Sequence, residues 1–170
     1  MFPVNFIKKL PLYVCMLLCC SCGIYSFTGA SISPDTKTIT IKSFPNYASL
    51  VQPTLSLSFT EALKDKFTGQ TNLSLVPYDG DLILEGSITD YRTTPIAIQS
   101  GDQAAQTRLT ITVNVKFTNK KDPKQSFEQS FSRFADYISS KTLNEVENEL
   151  IKNINDQLVI DIFNKAVVNW

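Results

Sequence analysis

The chain contains no histidine, and all four of its cysteines fall within residues 15–22. Without these side chains in the rest of the chain, a Ser–His–Asp triad, a cysteine nucleophile and a His- or Cys-ligated zinc site are excluded. A disulfide framework is excluded for the same reason. Acidic residues are present, but their spacing singles out no pair for acid–base catalysis. We therefore expect no catalytic residues, no metal site and no cofactor, and we expect that the protein is not an enzyme.

A basic excess is also missing. The 170 residues include 16 Lys and Arg against 16 Asp and Glu, so the formal net charge is zero. Proteins that bind nucleic acid usually carry a clear basic excess or a basic stripe. No polybasic segment is present that would hold the chain to an anionic membrane surface. We expect no nucleic-acid partner.

The first 21 residues have the layout of a secretory signal peptide. Lys8 and Lys9 precede the apolar segment 10–18, and small or mildly polar residues follow it. This apolar segment is only about half of the roughly 20 residues that a membrane-spanning helix needs. Removing residues 1–21 takes away two lysines and leaves 14 basic against 16 acidic residues, a formal charge of −2.

The end of this segment resembles a bacterial lipobox, in which a cysteine becomes the acylated first residue of the mature protein. Cys22 is the first choice because small residues, Ser21 and Gly23, flank it. Cys20 is the second choice, since it has Leu17 at the favoured upstream position but the bulkier Cys19 directly before it. Two or three acyl chains, such as palmitate, would anchor the protein stably. We expect a signal peptide over residues 1–21, a lipidated tether over 22–36 and one domain over 37–170.

The first half of this domain alternates strands and a helix. The segment KTITIKSF, residues 37–44, predicts a strand, and an apolar stripe from Leu55 to Phe67 at helical spacing predicts a helix. Gly69 is the expected C-terminal cap of this helix. Two further strands flank the sequence YDGD, which is typical of a hairpin or loop.

The segment TRLTITVNVKFT, residues 107–118, gives the clearest strand pattern. Its apolar residues alternate strictly with polar ones, which predicts an antiparallel sheet with one buried and one polar face. The next strand, SFEQSFSRFADY, has Phe134 out of phase with Phe127 and Phe131, so we expect a bulge or the end of pairing there.

A long amphipathic helix closes the chain. Thr142 and Glu145 predict a capping box, and an apolar stripe at three- and four-residue spacing runs from Leu143 to Trp170. The stripe fits a helix laid across a sheet; the alternative is an exposed helix that docks on a partner. The expected fold is α+β, a two-layer sandwich in which two helices pack on one face of a mostly antiparallel sheet of four to five strands.

Taken in order, the lipobox CGIYSF, the segments ITIKSFPN, LEGSITDYRTTPIAI and RLTITVNVKF and the closing helix resemble the LptE family of lipopolysaccharide-assembly lipoproteins in its Bacteroidota-type form. The resemblance covers essentially the whole mature chain. It implies an α/β domain anchored to the inner leaflet of the outer membrane, facing the periplasm or inside a barrel lumen. It also implies a partnership with the LptD β-barrel as a plug or scaffold in lipopolysaccharide transport, and contact with lipopolysaccharide itself.

The polar face of the strand 107–118 supplies the candidate contacts for the barrel or for glycolipid. These residues are Arg108, Thr110, Thr112, Asn114 and Lys116. Arg92 and Arg133 are the other cations of the strand region, but their faces are not determined by the pattern. The alternative interpretation is that all of these residues face solvent and contact no partner. The alternative function is a different envelope lipoprotein that acts as a binding or assembly module.

Overall fold

In the computed structural model, the structure describes residues 32–50, 52–96 and 105–168. The predicted signal peptide, Cys20, Cys22 and Trp170 lie outside these residues. The elements, in chain order, are β1 (Thr38–Ile41), α1 (Leu55–Gln70), β2 (Ser74–Leu75), β3 (Leu82–Ile96), β4 (Gln106–Asn119), a 3₁₀ turn (Pro123–Gln125), β5 (Phe127–Ile138) and α2 (Leu143–Val167). Neither helix of the described residues is long and apolar enough to cross a membrane.

The five strands form one mixed sheet in the order β2-β1-β3-β4-β5. The long strands β3, β4 and β5 pair antiparallel, whereas short β1 pairs parallel with both β2 and β3. Most of the sheet is therefore antiparallel, and the predicted α+β fold is confirmed. The first strand of the domain lies inside the sheet, between two strands that follow it in sequence.

The core lies between one face of the sheet and the two helices. On β4 the alternation is strict, and the apolar residues from Leu109 to Phe117 are buried. The central residues of the α2 stripe, Ile154, Leu158 and Ile162, are each fully buried. This stripe is core rather than an exposed docking surface. At about 0.8 kcal/mol per buried methylene, these side chains supply a large part of the driving force for folding.

Polar side chains of α1 hold the segment that leaves β1. The Phe44 N–H donates to Thr60 Oγ1 at 3.1 Å, and the Phe44 carbonyl accepts from Ser56 Oγ at 2.6 Å. The end of α1 differs from the expectation. Gly69 lies within the helix, which continues to Gln70, and the Thr71 hydroxyl donates to the Phe67 carbonyl at 2.5 Å. The prediction of Gly69 as the cap was wrong because a hydroxyl after the helix takes that role.

The sequence YDGD forms a loop and not a hairpin. The strands that it joins, β2 and β3, both run parallel to β1 and lie on opposite sides of it, so the loop crosses β1. Asp79 takes a positive φ of 61°, which Asp tolerates better than most residues. The Asp81 carboxylate then accepts hydrogen bonds from the Lys37 and Thr38 N–H groups at 3.0 and 3.1 Å, and from Thr38 Oγ1 at 3.0 Å.

The irregularity in strand pairing that was expected on β5 lies on β3. The register of β4 and β5 runs without a shift through Phe134, which lies opposite Thr110, to Ile138. The predicted bulge or end of pairing at Phe134 was therefore wrong, because this residue belongs to the other face of a regular strand. The irregularity lies on β3 instead, between Ile88 and Asp90.

The closing helix begins as predicted. Thr142 is its N-cap, and the Glu145 carboxylate accepts hydrogen bonds from the Thr142 N–H and hydroxyl at 2.6 and 2.9 Å. Along its length α2 reaches the edge strand, where Arg133 forms two hydrogen bonds with Asp161 at 2.5 and 2.7 Å. Arg133 therefore lies on the helix side of the sheet.

Candidate functional site: the open sheet face

The face of the sheet that points away from the helices is the candidate site, and we call it the open sheet face. All five residues predicted as contacts, Arg108 to Lys116 at every second position of β4, lie on this face. They alternate with buried neighbours, as the period of two predicts. Arg92 joins them, since it pairs with Thr110 across the β3–β4 ladder.

Cross-strand pairs order the side chains of the open sheet face into rows. Each β4 residue lies between one residue of β3 and one of β5, and neighbouring side chains in such a row are close enough to interact. The rows are Thr94–Arg108–Asp136, Arg92–Thr110–Phe134, Asp90–Thr112–Ser132, Ser87–Asn114–Ser130 and Glu85–Lys116–Glu128.

The strongest contact on this face involves Arg108. Its Nε and Nη2 donate to the two carboxylate oxygens of Asp136 at 2.8 and 2.9 Å, and its guanidinium lies 3.5 Å from the centre of the Phe134 ring. The hydrogen bonds from Arg108 lower the pKa of Asp136, and those to Asp136 raise the pKa of Arg108. Arg108 is thus already compensated by a carboxylate and an aromatic ring.

Lys116 lies in a second charged cluster at the other end of β4. Its Nζ is 3.3 Å from Glu85, which also accepts a hydrogen bond from Lys42 at 2.6 Å. The hydrogen bond from Lys42, and to a smaller extent that from Lys116, lower the pKa of Glu85 against the opposing effect of burial. One carboxylate therefore serves two ammonium groups.

The middle of the open sheet face carries hydroxyl and amide groups. Thr112 Oγ1 and Ser132 Oγ lie 3.0 Å apart, and Thr110 and Asn114 flank this pair along β4. Such groups both donate and accept hydrogen bonds. The charges of the five rows, together with Lys42 beside Glu85, balance: the cations are Lys42, Arg92, Arg108 and Lys116, and the anions are Glu85, Asp90, Glu128 and Asp136. The face is a hydrogen-bonding surface and not a basic patch.

Two large apolar side chains on this face were not predicted. Phe134 and Ile138 are 48% and 40% exposed, and both lie near the far end of β5. A strict alternation counted from Phe127 would have placed them on the outer face, but the break in the apolar pattern at Phe134 hid that signal. They give the polar face an apolar margin beside Arg108.

No group of three or more Cys, Asp or Glu side chains placed to hold a metal ion occurs in residues 32–50, 52–96 and 105–168. The side chains of the open sheet face offer hydrogen bonds, ion pairs and apolar contact. These are the interactions of a binding surface.

Comparison with known proteins gives a family match. The sequence profile of the LptE family, described as lipopolysaccharide-assembly, matches residues 36–166. A search of curated protein sequences gives no significant match.

Solved structures are similar at low sequence identity. A hypothetical protein from Chlamydia trachomatis has a TM-score of 0.54 at 9% identity, over 79% of this chain and 99% of that one. A minor lipoprotein from Acinetobacter baumannii has a TM-score of 0.49 at 16% identity, over 76% and 91%. The rare lipoprotein B of Shewanella oneidensis has a TM-score of 0.46 at 10% identity, over 74% and 89%. Identities this low bear on the fold alone, and only the first structure has a TM-score above 0.5; its fold agrees with the sandwich described above.

Proposed function

This chain belongs to the LptE family of lipopolysaccharide-assembly proteins, and from that premise we propose that it partners an LptD-type β-barrel in the outer membrane. In this proposal it acts as a plug or scaffold while lipopolysaccharide is transported and inserted. Its work is assembly and binding, with no reaction catalysed. A lipid on Cys22 would hold it at the inner leaflet, with the domain facing the periplasm or the barrel lumen.

The observation that supports this proposal is the chemistry of the open sheet face. The lumen of a large membrane barrel is polar and hydrated. A surface that matches it needs donors and acceptors in mixed order and little net charge, and water can bridge the gaps in such a contact. The rows around Thr112 and Asn114 have this composition, and the four cations and four anions cancel. The apolar margin at Phe134 and Ile138 would add contact area at one end.

The ion pairs of the open sheet face also bear on whether it binds lipopolysaccharide directly. Lipopolysaccharide carries phosphate groups, which bind best to cations that are not already paired. Arg108 is held by Asp136, and Lys116 shares Glu85 with Lys42. We therefore propose that the main role of this face is contact with the barrel and that direct contact with glycolipid is secondary.

Co-purification in a mild detergent, followed by identification of the partner by mass spectrometry, tests the proposal. We expect an LptD-type barrel to be recovered with the wild-type chain. We expect Thr112→Arg, a bulky charge at the centre of the open sheet face, to fold normally and recover less barrel. Glu149→Arg, on the exposed side of α2, is the matched control. Recovery of a different large partner would favour another envelope assembly module.

Depletion of the protein gives a second test. The amount of correctly assembled barrel is expected to fall, and the outer membrane is expected to become permeable to hydrophobic antibiotics. Normal barrel assembly with an unchanged permeability barrier, in a strain without a second copy, would contradict the proposal.

A further inference from the structure

A groove runs between α1 and α2 on the outer surface of the helix layer, opposite the open sheet face. It consists of two adjoining hollows of about 330 and 620 Å³, which share Ala62, Asp65 and Asp156 as lining residues. Partly buried Ala62 and buried Ile151 and Val159 contribute apolar surface, and the side chain of Ile160 is 44% exposed. We call this feature the interhelical groove.

The interhelical groove contains a buried hydrogen-bonding group that is only half satisfied. Asn155 lines the groove and is 4% exposed. Its Nδ2 donates to Ser58 Oγ at 3.3 Å, whereas its Oδ1 has no hydrogen-bond partner among the described residues. A buried acceptor without a donor destabilises the folded state. A ligand that brings a hydrogen-bond donor to Asn155 Oδ1 would therefore satisfy this acceptor.

The charged side chains of the interhelical groove show the same imbalance. Both of its lysines are engaged, since Lys152 pairs with Asp156 at 2.8 Å and Lys66 lies 5.2 Å from the ring centre of Phe163. Glu61 is paired with Lys64 at 2.8 Å. The Asp65 carboxylate has no ion-pair or hydrogen-bond partner in the part of the chain that the structure describes. The unused groups are both acceptors, one anionic and one neutral.

We propose that the interhelical groove binds a segment of a partner protein in which a lysine or arginine is flanked by apolar residues. The cation would meet Asp65, a donor would reach Asn155 Oδ1 as the helices adjust, and the apolar residues would cover Ile160 and the groove floor. Amphipathic segments bind apolar grooves between helices in this manner. The open sheet face would remain free, so the domain could hold two partners on opposite layers.

The test uses the full chain in nanodiscs of zwitterionic lipid, with empty nanodiscs as the blank. The probe is a short fluorescent amphipathic peptide of Leu and Lys, and its Leu and Glu counterpart is the control peptide. By fluorescence anisotropy we expect the Lys peptide to bind and the Glu peptide not to bind. Asp65→Asn, an isosteric change at an exposed site, should weaken binding by about tenfold. Glu149→Gln, a loss of charge on α2 outside the groove, should leave the affinity unchanged.

Asn155→Leu separates a binding role from a structural one. It removes the unsatisfied acceptor, so we expect equal or higher thermal stability together with weaker peptide binding. Equal binding of the Lys peptide to wild type, Asp65→Asn and Asn155→Leu would overturn the proposal. Full displacement of the peptide by spermine at similar concentration would overturn it in favour of a small polycation. Self-association of the wild type that Asp65→Asn abolishes would overturn it in favour of a second copy of this chain.

Discussion

Arg108 and Asp136 face each other across β4 and β5 and share two parallel hydrogen bonds of 2.8 and 2.9 Å. An arginine in this fork geometry is held by its carboxylate partner, so it is less available to bind another anion. The pair therefore offers a way to separate the stability of the open sheet face from its recognition of a partner.

Reversal of the charge at Arg108 gives the first prediction. Arg108→Glu places two carboxylates side by side and removes the cation from the Phe134 ring, so we expect a lower melting temperature but a folded domain. The double variant Arg108→Asp, Asp136→Arg should recover much of that loss in thermal unfolding. If the open sheet face binds the barrel, the double variant should still recover less barrel than wild type. Wild-type recovery with both variants would remove this end of the face from the interface.

A charge in the core gives the second prediction. Ile111 and Ile154 are fully buried on β4 and α2, so Ile111→Asp or Ile154→Asp buries an unpaired carboxylate. We expect a loss of more than about 5 kcal/mol, enough to unfold a domain at the lower end of the usual stability range. Thr110→Asp is the matched control, because the adjacent residue points to the open sheet face. A folded Ile111→Asp by circular dichroism would contradict the assignment of the two faces.

The third prediction concerns two glycines in different surroundings. A Cβ on Gly86 would lie 2.0 Å from the Asn114 carbonyl oxygen and 2.6 Å from Phe44 Cε1, so Gly86→Ala forces β3, β4 and Phe44 apart. We expect a loss of about 3 kcal/mol in urea unfolding. A Cβ on Gly69, in α1, would have no neighbour within 4 Å, so Gly69→Ala should instead stabilise the domain by up to about 1 kcal/mol. Equal effects of the two changes would contradict the close packing at Gly86.

Acid should weaken the contact between Asp81 and the start of β1. Hydrogen bonds from the Lys37 backbone, and then from the Thr38 hydroxyl, lower the pKa of Asp81 from its usual 3.8 to about 2. A carboxylate with a depressed pKa stabilises the fold above its unfolded-state pKa, and this stabilisation is lost as the pH falls from about 4 to about 2. Thermal unfolding across this range should show a smaller loss of stability for Asp81→Asn than for wild type. Identical profiles would show that the carboxylate does not titrate with this shift.

The acylated cysteine is tested by substitution in cells. Cys22→Ser should abolish labelling with a palmitate analogue and leave an uncleaved precursor, whereas Cys20→Ser should keep both the label and the cleavage. The opposite result for the two variants would move the lipid to Cys20.

The parts of the fold that were predicted correctly are those in which local pattern and tertiary contact agree. The alternation from Leu109 to Phe117 and the capping pair Thr142 and Glu145 are signals within one element, and both appear in the structure. The burial of the α2 stripe followed from the same reasoning, since a long apolar stripe needs a sheet to cover it.

The features that the sequence left open have a different cause, because they depend on contacts with distant segments. The pattern before β3 allowed a hairpin or a loop, and a loop forms because β1, some 40 residues earlier, lies between the strands that it joins. The faces of Arg92 and Arg133 depend on an irregularity in β3 and on Asp161 of α2. The interhelical groove left no sequence signal, since Asp65 and Asn155 come to line the same hollow only after both helices pack on the sheet.

The position of β1 determines how the domain would respond to a pull from a membrane anchor. The chain enters the sheet at Thr38, between β2 and β3, and the Asp81 carboxylate binds that entry point through three hydrogen bonds. A pull on the chain before Thr38 that is directed along β1 would act on this strand lengthwise. It would load the hydrogen bonds on both sides of the strand together, in shear, rather than open them one at a time from a sheet edge. If Cys22 carries the lipid, tension directed from the anchor along β1 would reach the core through a strand that is hydrogen-bonded on both sides, and this arrangement resists separation more than an edge strand would.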